Sequence, residues 1–184
     1  MTSGRLKVIM IVLNNVENDV RVLKTGKSLV SIGNDVHILG ISHDRQQTRI
    51  EQKKIEGIRI SILPNPRYKL KSARVKSYNW EYLIQGALSS MWPLVESEQP
   101  DVLHTHDLNT IRIGAEYVSR LRKQGKRVFW VHDLHEYVRG LDHTDAEIRS
   151  NTLNDEEQCI HLPDALLTVS PKLSEYISSD YGML

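Results

Sequence analysis

The 184-residue sequence contains one cysteine, Cys159, so no internal disulfide can form and the chain fits a reducing, cytoplasmic compartment. Cys159 itself reads as a small buried hydrophobe. No apolar run approaches the roughly 20 residues that cross a bilayer, the longest being 8–13. With Arg5 and Lys7 ahead of it this run has the outline of a secretory leader, but it is too short and no small-residue cleavage site follows, so it reads as a buried strand. Charge of one sign is missing too. The 24 Lys and Arg against 23 Asp and Glu give a formal net charge of +1, which excludes the broad basic field of a nucleic-acid binder. No Gly-x-Gly-x-x-Gly follows the first strand and no Gly-Lys-Ser/Thr loop occurs, which argues against a dinucleotide dehydrogenase and a P-loop phosphotransferase. Internal repeats, low-complexity tracts and linkers are absent as well, so one domain is expected over 1–184.

Strand and helix patterns alternate along the chain. Residues 7–13 are rich in β-branched side chains without a period of two, as in a strand buried on both faces, and Asn14-Asn15 ends it. Over 19–32, Val22, Leu23, Gly26, Leu29 and Val30 recur at helical spacing, with Asp19 as cap and Gly33 as stop. Residues 35–42 predict a second strand, 43–54 an exposed loop or edge hairpin, and 55–64 a half-exposed strand ending at Pro64. A helix follows over 78–98 with Pro93 as a kink or break, and Trp80 and Trp92 read as packing aromatics. Thr144-Asp145-Ala146-Glu147 fits a capping box, 165–169 a short strand, and Ser170-Pro171 the start of a helix over 171–179. This order predicts an α/β, Rossmann-like, doubly wound, mostly parallel sheet with helices on both faces.

The densest chemistry lies over 100–136. Asp101-Val102-Leu103-His104-Thr105-His106-Asp107 and Arg127-Val128-Phe129-Trp130-Val131-His132-Asp133-Leu134-His135-Glu136 are strand-like, and a helix pattern over 109–124 joins them. A strand, a crossover helix and a strand imply a parallel pair, so both polar bursts fall at carboxyl ends, the edge where open α/β sheets bind ligands. A histidine flanked by carboxylates suits proton transfer or hydrogen bonding to a sugar, which fits His132, His135 and His106. His104, inside the strand, reads as a histidine that satisfies backbone groups. A metal site is the rival reading: His104, His106, Asp107, His132, Asp133 and His135, with Glu136 beside them, are all ligand types, and His104 and His106 share a strand face. Their spacing matches no zinc signature, so no metal or cofactor is assigned. After the first strand, Asn14-Asn15 can form a tight left-handed turn without glycine, and a helix N-terminus with Arg21 nearby can receive a phosphate; a plain capped turn is the equal alternative. The acid-free run holding Arg67, Lys69, Lys71, Arg74 and Lys76 reads as a solvated face, or as a peripheral contact with anionic lipid headgroups or a phosphorylated acceptor.

Taken in order, residues 7–13, Asp19-Val20-Arg21-Val22 with Ser28-Leu29 and Gly33-Asn34-Asp35-Val36, Glu56-Gly57-Ile58-Arg59-Ile60, Pro100-Asp101-Val102-Leu103-His104-Thr105-His106-Asp107, Val131-His132-Asp133-Leu134-His135-Glu136 and Asp164-Ala165-Leu166-Leu167-Thr168-Val169-Ser170 form a series. The series resembles the N-terminal, acceptor-side domain of glycosyltransferases with the two-domain GT-B architecture, group 4 type. It spans nearly the whole chain. The resemblance implies a domain that faces a C-terminal, nucleotide-sugar-binding domain, and transfer of a hexose from that donor to a hydroxyl acceptor without a required metal. It also implies His132 as the active-site histidine, with His135 next, and Asn14, Asn15 and Arg21 on the donor side, where the glycines of many relatives are absent. His106, Asp107, Asp133 and Glu136 fall on the acceptor side. The C-terminal domain is not in this sequence, so the expectation is a two-domain or split enzyme whose missing domain or subunit is a partner, with this chain alone inactive. Two other classes are carried beside it: a stand-alone flavodoxin-like ligand-binding or regulatory module, and a His/Asp metal-dependent hydrolase.

Overall fold

β1 (Lys7–Ile11) carries apolar side chains on both faces because it lies in the middle of a sheet. The structure, a computed structural model, describes residues 4–66, 80–141 and 146–183. β2 (Asp35–Ile41), β3 (Glu51–Ile55), β4 (Ile58–Leu63), β5 (Val102–His106), β6 (Phe129–Leu134) and β7 (Ala165–Thr168) complete the sheet in the order β3-β4-β2-β1-β5-β6-β7. Every neighbouring pair is parallel except β3 with β4. From β1 the chain runs to β2 and β4 on one side and then returns to β5 on the other. The topological switch therefore falls between the carboxyl ends of β1 and β5.

Two apolar layers sandwich the sheet. Val22, Leu23, Leu29 and Val30 of α1 (Val20–Ser31) pack with Val8, Met10, Ile38 and Ile60 on one face. On the other, α2 (Trp80–Glu98), α3 (Ile111–Lys123), α4 (Ala146–Cys159) and α5 (Pro171–Tyr181) bury Leu83, Tyr117, Cys159 and Leu173 against Ile9, Ile11, Leu103 and Trp130. Each fully buried aliphatic side chain of this kind contributes about 1.5–3 kcal/mol. Strand alternation and register then sort the polar residues. His104 and His106 of β5 and Asp133 of β6 share the α1 face with Met10, whereas Thr105, Trp130, His132 and Leu134 share the α2–α5 face with Leu103. α3 lies close against β6 because Gly114 has no side chain: a Cβ there would meet the Trp130 ring at 2.4 Å.

Several local expectations are refined. The run 55–64 is not one half-exposed strand. Glu56 and Gly57 both take positive φ, 47° and 86°, and form a tight hairpin turn that pairs Ile55 with Ile58. β4 beyond that turn is buried apart from half-buried Arg59, since β3 and β2 flank it. The edge hairpin expected within 43–54 is realised as β3, whose Glu51, Gln52 and Lys54 are exposed. α2 continues unbroken through Pro93, with Met91 and Val95 buried on either side of it. The predicted helix over 109–124 opens as a 3-10 turn, Leu108–Thr110, before α3. The basic run of Arg67, Lys69, Lys71, Arg74 and Lys76, and Thr144-Asp145 of the capping box, lie outside the described residues. No described helix is long and apolar enough to cross a membrane.

Candidate active site

The turn after β1 is built from its own amides. Asn15 accepts a hydrogen bond from the Glu17 N–H at 3.2 Å in extended backbone, capping a 3-10 turn at Val16–Asn18. Asn14 Nδ2 donates to Asp19 Oδ2 at 2.8 Å, and Asp19 Oδ1 accepts from the Val22 N–H at 3.2 Å, capping α1. The Asp19 carboxylate thus takes the α1 amide that a phosphate would need. Burial alone would raise its pKa, but the Asn14 and Val22 hydrogen bonds, with the charge of Arg21, hold it below the usual range. Arg21 lies 3.7 Å from Asp19 and 3.2 Å from Asp107, tying α1 to the end of β5. Asn14, Asn15, Asn18, Asp19, Arg21 and His43 line a depression of about 430 Å³.

The left-handed backbone expected at Asn14-Asn15 occurs instead at Asp107, with φ 65° and ψ 154°. That region belongs almost to glycine alone, and a strained residue there persists only where its surroundings fix it. Here they do. The Asp107 N–H donates to the Asp133 carbonyl at 3.1 Å, and the Thr110 N–H and hydroxyl donate to the Asp107 carbonyl at 3.1 and 2.9 Å.

On the same sheet face, His106 Nδ1 lies 3.3 Å from Asp133 Oδ2, and the His104 and His106 rings are 4.0 Å apart, tilted by 31°. Burial would raise the Asp133 carboxyl, but the His106 hydrogen bond and the nearby His106, His104 and His135 hold it below its ordinary value. Burial, reinforced by His106, depresses His104 to about 3, so it is neutral at pH 7. Its Nε2 has no hydrogen-bond partner, so it does not act there as a satisfier of backbone groups.

His132 points to the opposite face. It is fully buried, with Nδ1 2.7 Å from Thr105 Oγ1, while the Trp130 indole N–H donates to that same oxygen at 2.8 Å. Thr105 Oγ1 accepts a hydrogen bond from the Trp130 indole, and its own O–H has His132 Nδ1 in reach. Where the hydroxyl donates to Nδ1, the ring proton sits on Nε2. Burial, with the charge of His106, lowers His132 to about 3 and keeps the ring neutral. Of the remaining expected site residues, His135 is half-buried and Glu136 exposed just beyond β6.

Larger depressions lie elsewhere, one of about 640 Å³ at the amino edge among Asp101, Arg122, Lys126 and Asp164. Two of its cations are paired, Arg122 2.6 Å from Asp164 and Lys126 3.3 Å from Asp101. The carboxyl side is different in kind: Asn14 Oδ1, Asn109 Oδ1 and the Nε2 atoms of His104, His106 and His132 are buried without partners. Sequence reasoning missed Asn18, His43, Thr105 and Asn109. His43 lies two residues past β2 and Asn109 closely follows β5, so position at a carboxyl end was the available signal. For Thr105 there was none without the register.

The Glycosyltransferase Family 4 model matches residues 19–183. Among solved structures, sucrose-phosphate synthase from Thermosynechococcus elongatus aligns with a TM-score of 0.66 at 13% identity, covering 95% of this chain and 45% of that one. Arabidopsis thaliana UGT89C1 complexed with UDP-L-rhamnose aligns at 0.57 and 13% identity over 97% and 50% of the two chains. UDP-GlcNAc 2-epimerase from Methanocaldococcus jannaschii aligns at 0.57 and 14% identity over 95% and 42%. This chain thus spans about half the length of each. At such identities the likeness is one of fold. No curated protein matches by sequence. With the family model covering most of its length, the chain belongs to the Family 4 glycosyltransferases as a GT-B N-terminal domain.

Proposed function

We propose that this chain is the acceptor-binding half of a glycosyltransferase that moves a hexose from a nucleotide sugar to a hydroxyl acceptor, completed by a second, donor-binding domain or subunit. The observation that carries the proposal is the buried, unpartnered Nε2 of His132, held in one tautomer by Thr105 and Trp130. A neutral imidazole of this kind donates one oriented hydrogen bond to a sugar oxygen at no reorganisation cost. The strained Asp107, the His106–Asp133 pair and Arg21 supply hydrogen-bonding groups for the acceptor along the same edge. In the reaction the acceptor oxygen bonds to the anomeric carbon, the bond from that carbon to the diphosphate breaks, and the acceptor proton passes to a base. The His106–Asp133 pair is this chain's candidate for orienting that hydroxyl. UDP-L-rhamnose in UGT89C1 supports a nucleotide sugar as donor. Asn14, Asn15 and Arg21 border the donor side, with Glu136 and His135 at the rim.

The test is calorimetric titration of a panel of nucleotide sugars into the chain alone, and then mixed with the polypeptide encoded immediately downstream. Binding and sugar transfer only in the mixture are expected, with His132→Ala lowering turnover by about 10²-fold. Tight donor binding by the isolated chain would move the donor site onto this domain. Silence in both arms would overturn the reading.

A further inference from the structure

One cluster at the carboxyl side is more than a hydrogen-bonding surface. His104 and His106 project from β5 two residues apart on the α1 face, and Asp133 of β6 stands in register with His106. One ligand atom from each lies within 4.8 Å of the other two. His104 is 5% and His106 1% exposed, and both Nε2 atoms lack partners. Asp133 is the accessible member, its side chain 19% exposed, and gives an ion a way in. We propose that His104, His106 and Asp133 form a binding site for a divalent transition-metal ion, with Zn²⁺ the best match to two imidazoles and one carboxylate.

The chemistry of the donors supports this. Zn²⁺ bound by nitrogen and oxygen at about 2.0–2.2 Å in a tetrahedron holds its ligand atoms roughly 3.4 Å apart. The His106 Nδ1–Asp133 Oδ2 separation is already 3.3 Å, and the three ligand atoms all lie within 4.8 Å of one another. Imidazole must be neutral and carboxylate ionised to ligate. Three protein ligands leave a fourth position for water or an oxygen of a bound molecule. The neighbouring cation, Arg21, is paired with Asp19 and Asp107, which offset its charge. The rival is a pair of adjacent histidine rings with no ligand.

The site shares His106 and Asp133 with the acceptor edge described above, but its test measures metal alone, so its failure and that of the transferase reading are read separately. Chain purified without a histidine tag and stripped with chelator is titrated with Zn²⁺ by calorimetry, and the metal content of the dialysed protein is read by plasma mass spectrometry. One equivalent with a dissociation constant in the micromolar range or tighter is expected. His104→Gln and Asp133→Asn should each weaken it by about tenfold or more, whereas His161→Gln, remote from the cluster, should not. Thermal unfolding of the apo variants controls for folding, and a Zn²⁺-dependent rise in melting temperature must appear in the unaltered protein and disappear in the two variants. No saturable binding below about 100 µM, or equal binding by both variants and the unaltered protein, overturns the proposal.

Discussion

Thr105 Oγ1 lies 2.7 Å from His132 Nδ1 across the β5–β6 pair, and the Trp130 indole donates to the same oxygen at 2.8 Å. All three groups are buried. Donation by this hydroxyl to Nδ1 places the ring proton of His132 on Nε2.

Thr105→Val keeps the volume and removes the relay. The Trp130 N–H and His132 Nδ1 are then both buried without partners, so a loss of about 1–3 kcal/mol of stability is expected in urea unfolding, with Thr105→Ser retaining most of it. Nitrogen-15 spectra of the His132 ring give a second readout. The unaltered protein should show its proton on Nε2, and a proton on Nδ1 would refute the relay as assigned.

The central strands and the sidedness of α1 were legible from the apolar pattern, because buried strands and an amphipathic helix leave strong signals, whereas the turn at Glu56-Gly57 inside 55–64 was not. The pairing of Thr105 with His132 and of His106 with Asp133 was not. A one-residue slip of β6 against β5 exchanges the faces of His132 and Asp133, so the sequence did not show which of the two stands beside His106. Positive φ at Asp107 was equally hidden. Asparagine is the residue that local rules nominate for such backbone, and the bonds that hold Asp107 come from Asp133 and Thr110.

Asp107 supplies a prediction that runs against the usual sense of a substitution. At φ 65° and ψ 154° only glycine is unstrained, so Asp107→Gly should relieve about 1 kcal/mol or more. The lost ion pair with Arg21, on a guanidinium 42% exposed, offsets less than about 1 kcal/mol of that gain. Urea unfolding should show stability unchanged or raised. Transfer activity of the completed enzyme should fall. A stability loss of more than about 1 kcal/mol would mean the backbone there is not strained.

Gly114 sets the distance between α3 and β6. A Cβ at 2.4 Å from the Trp130 ring cannot be accommodated without moving the indole, so Gly114→Ala should cost about 1–3 kcal/mol despite alanine's better helix propensity. Trp130 is also the donor to Thr105, so the same variant should disturb the His132 ring resonances. Unchanged stability together with unchanged resonances would show that α3 shifts freely.

The pH dependence of stability should carry the mark of His104 and His132. Burial depresses both from 6.5 to about 3, so between those values the unfolded chain binds protons that the folded chain does not. Stability then falls as pH falls, beginning near 6.5. Each histidine contributes a slope of about 1.4 kcal/mol per pH unit, and the pair about 2.7 kcal/mol per unit as an upper bound. Glu98, lowered from 4.5 to about 2 by its hydrogen bonds to His37 and Arg59 against the effect of burial, adds its loss only below about pH 4.5. Buried Asp155 and Glu156, both raised by desolvation, act in the opposite sense, so the histidine share of the slope between pH 6.5 and 5 is read by comparison with variants. Urea unfolding across this range should show a steep decline in the unaltered protein, and His104→Gln or His132→Gln should each flatten the slope by about half even where they lower stability at pH 7. A flat profile in the unaltered protein would mean that water reaches both rings and that the carboxyl side is more open than its burial indicates.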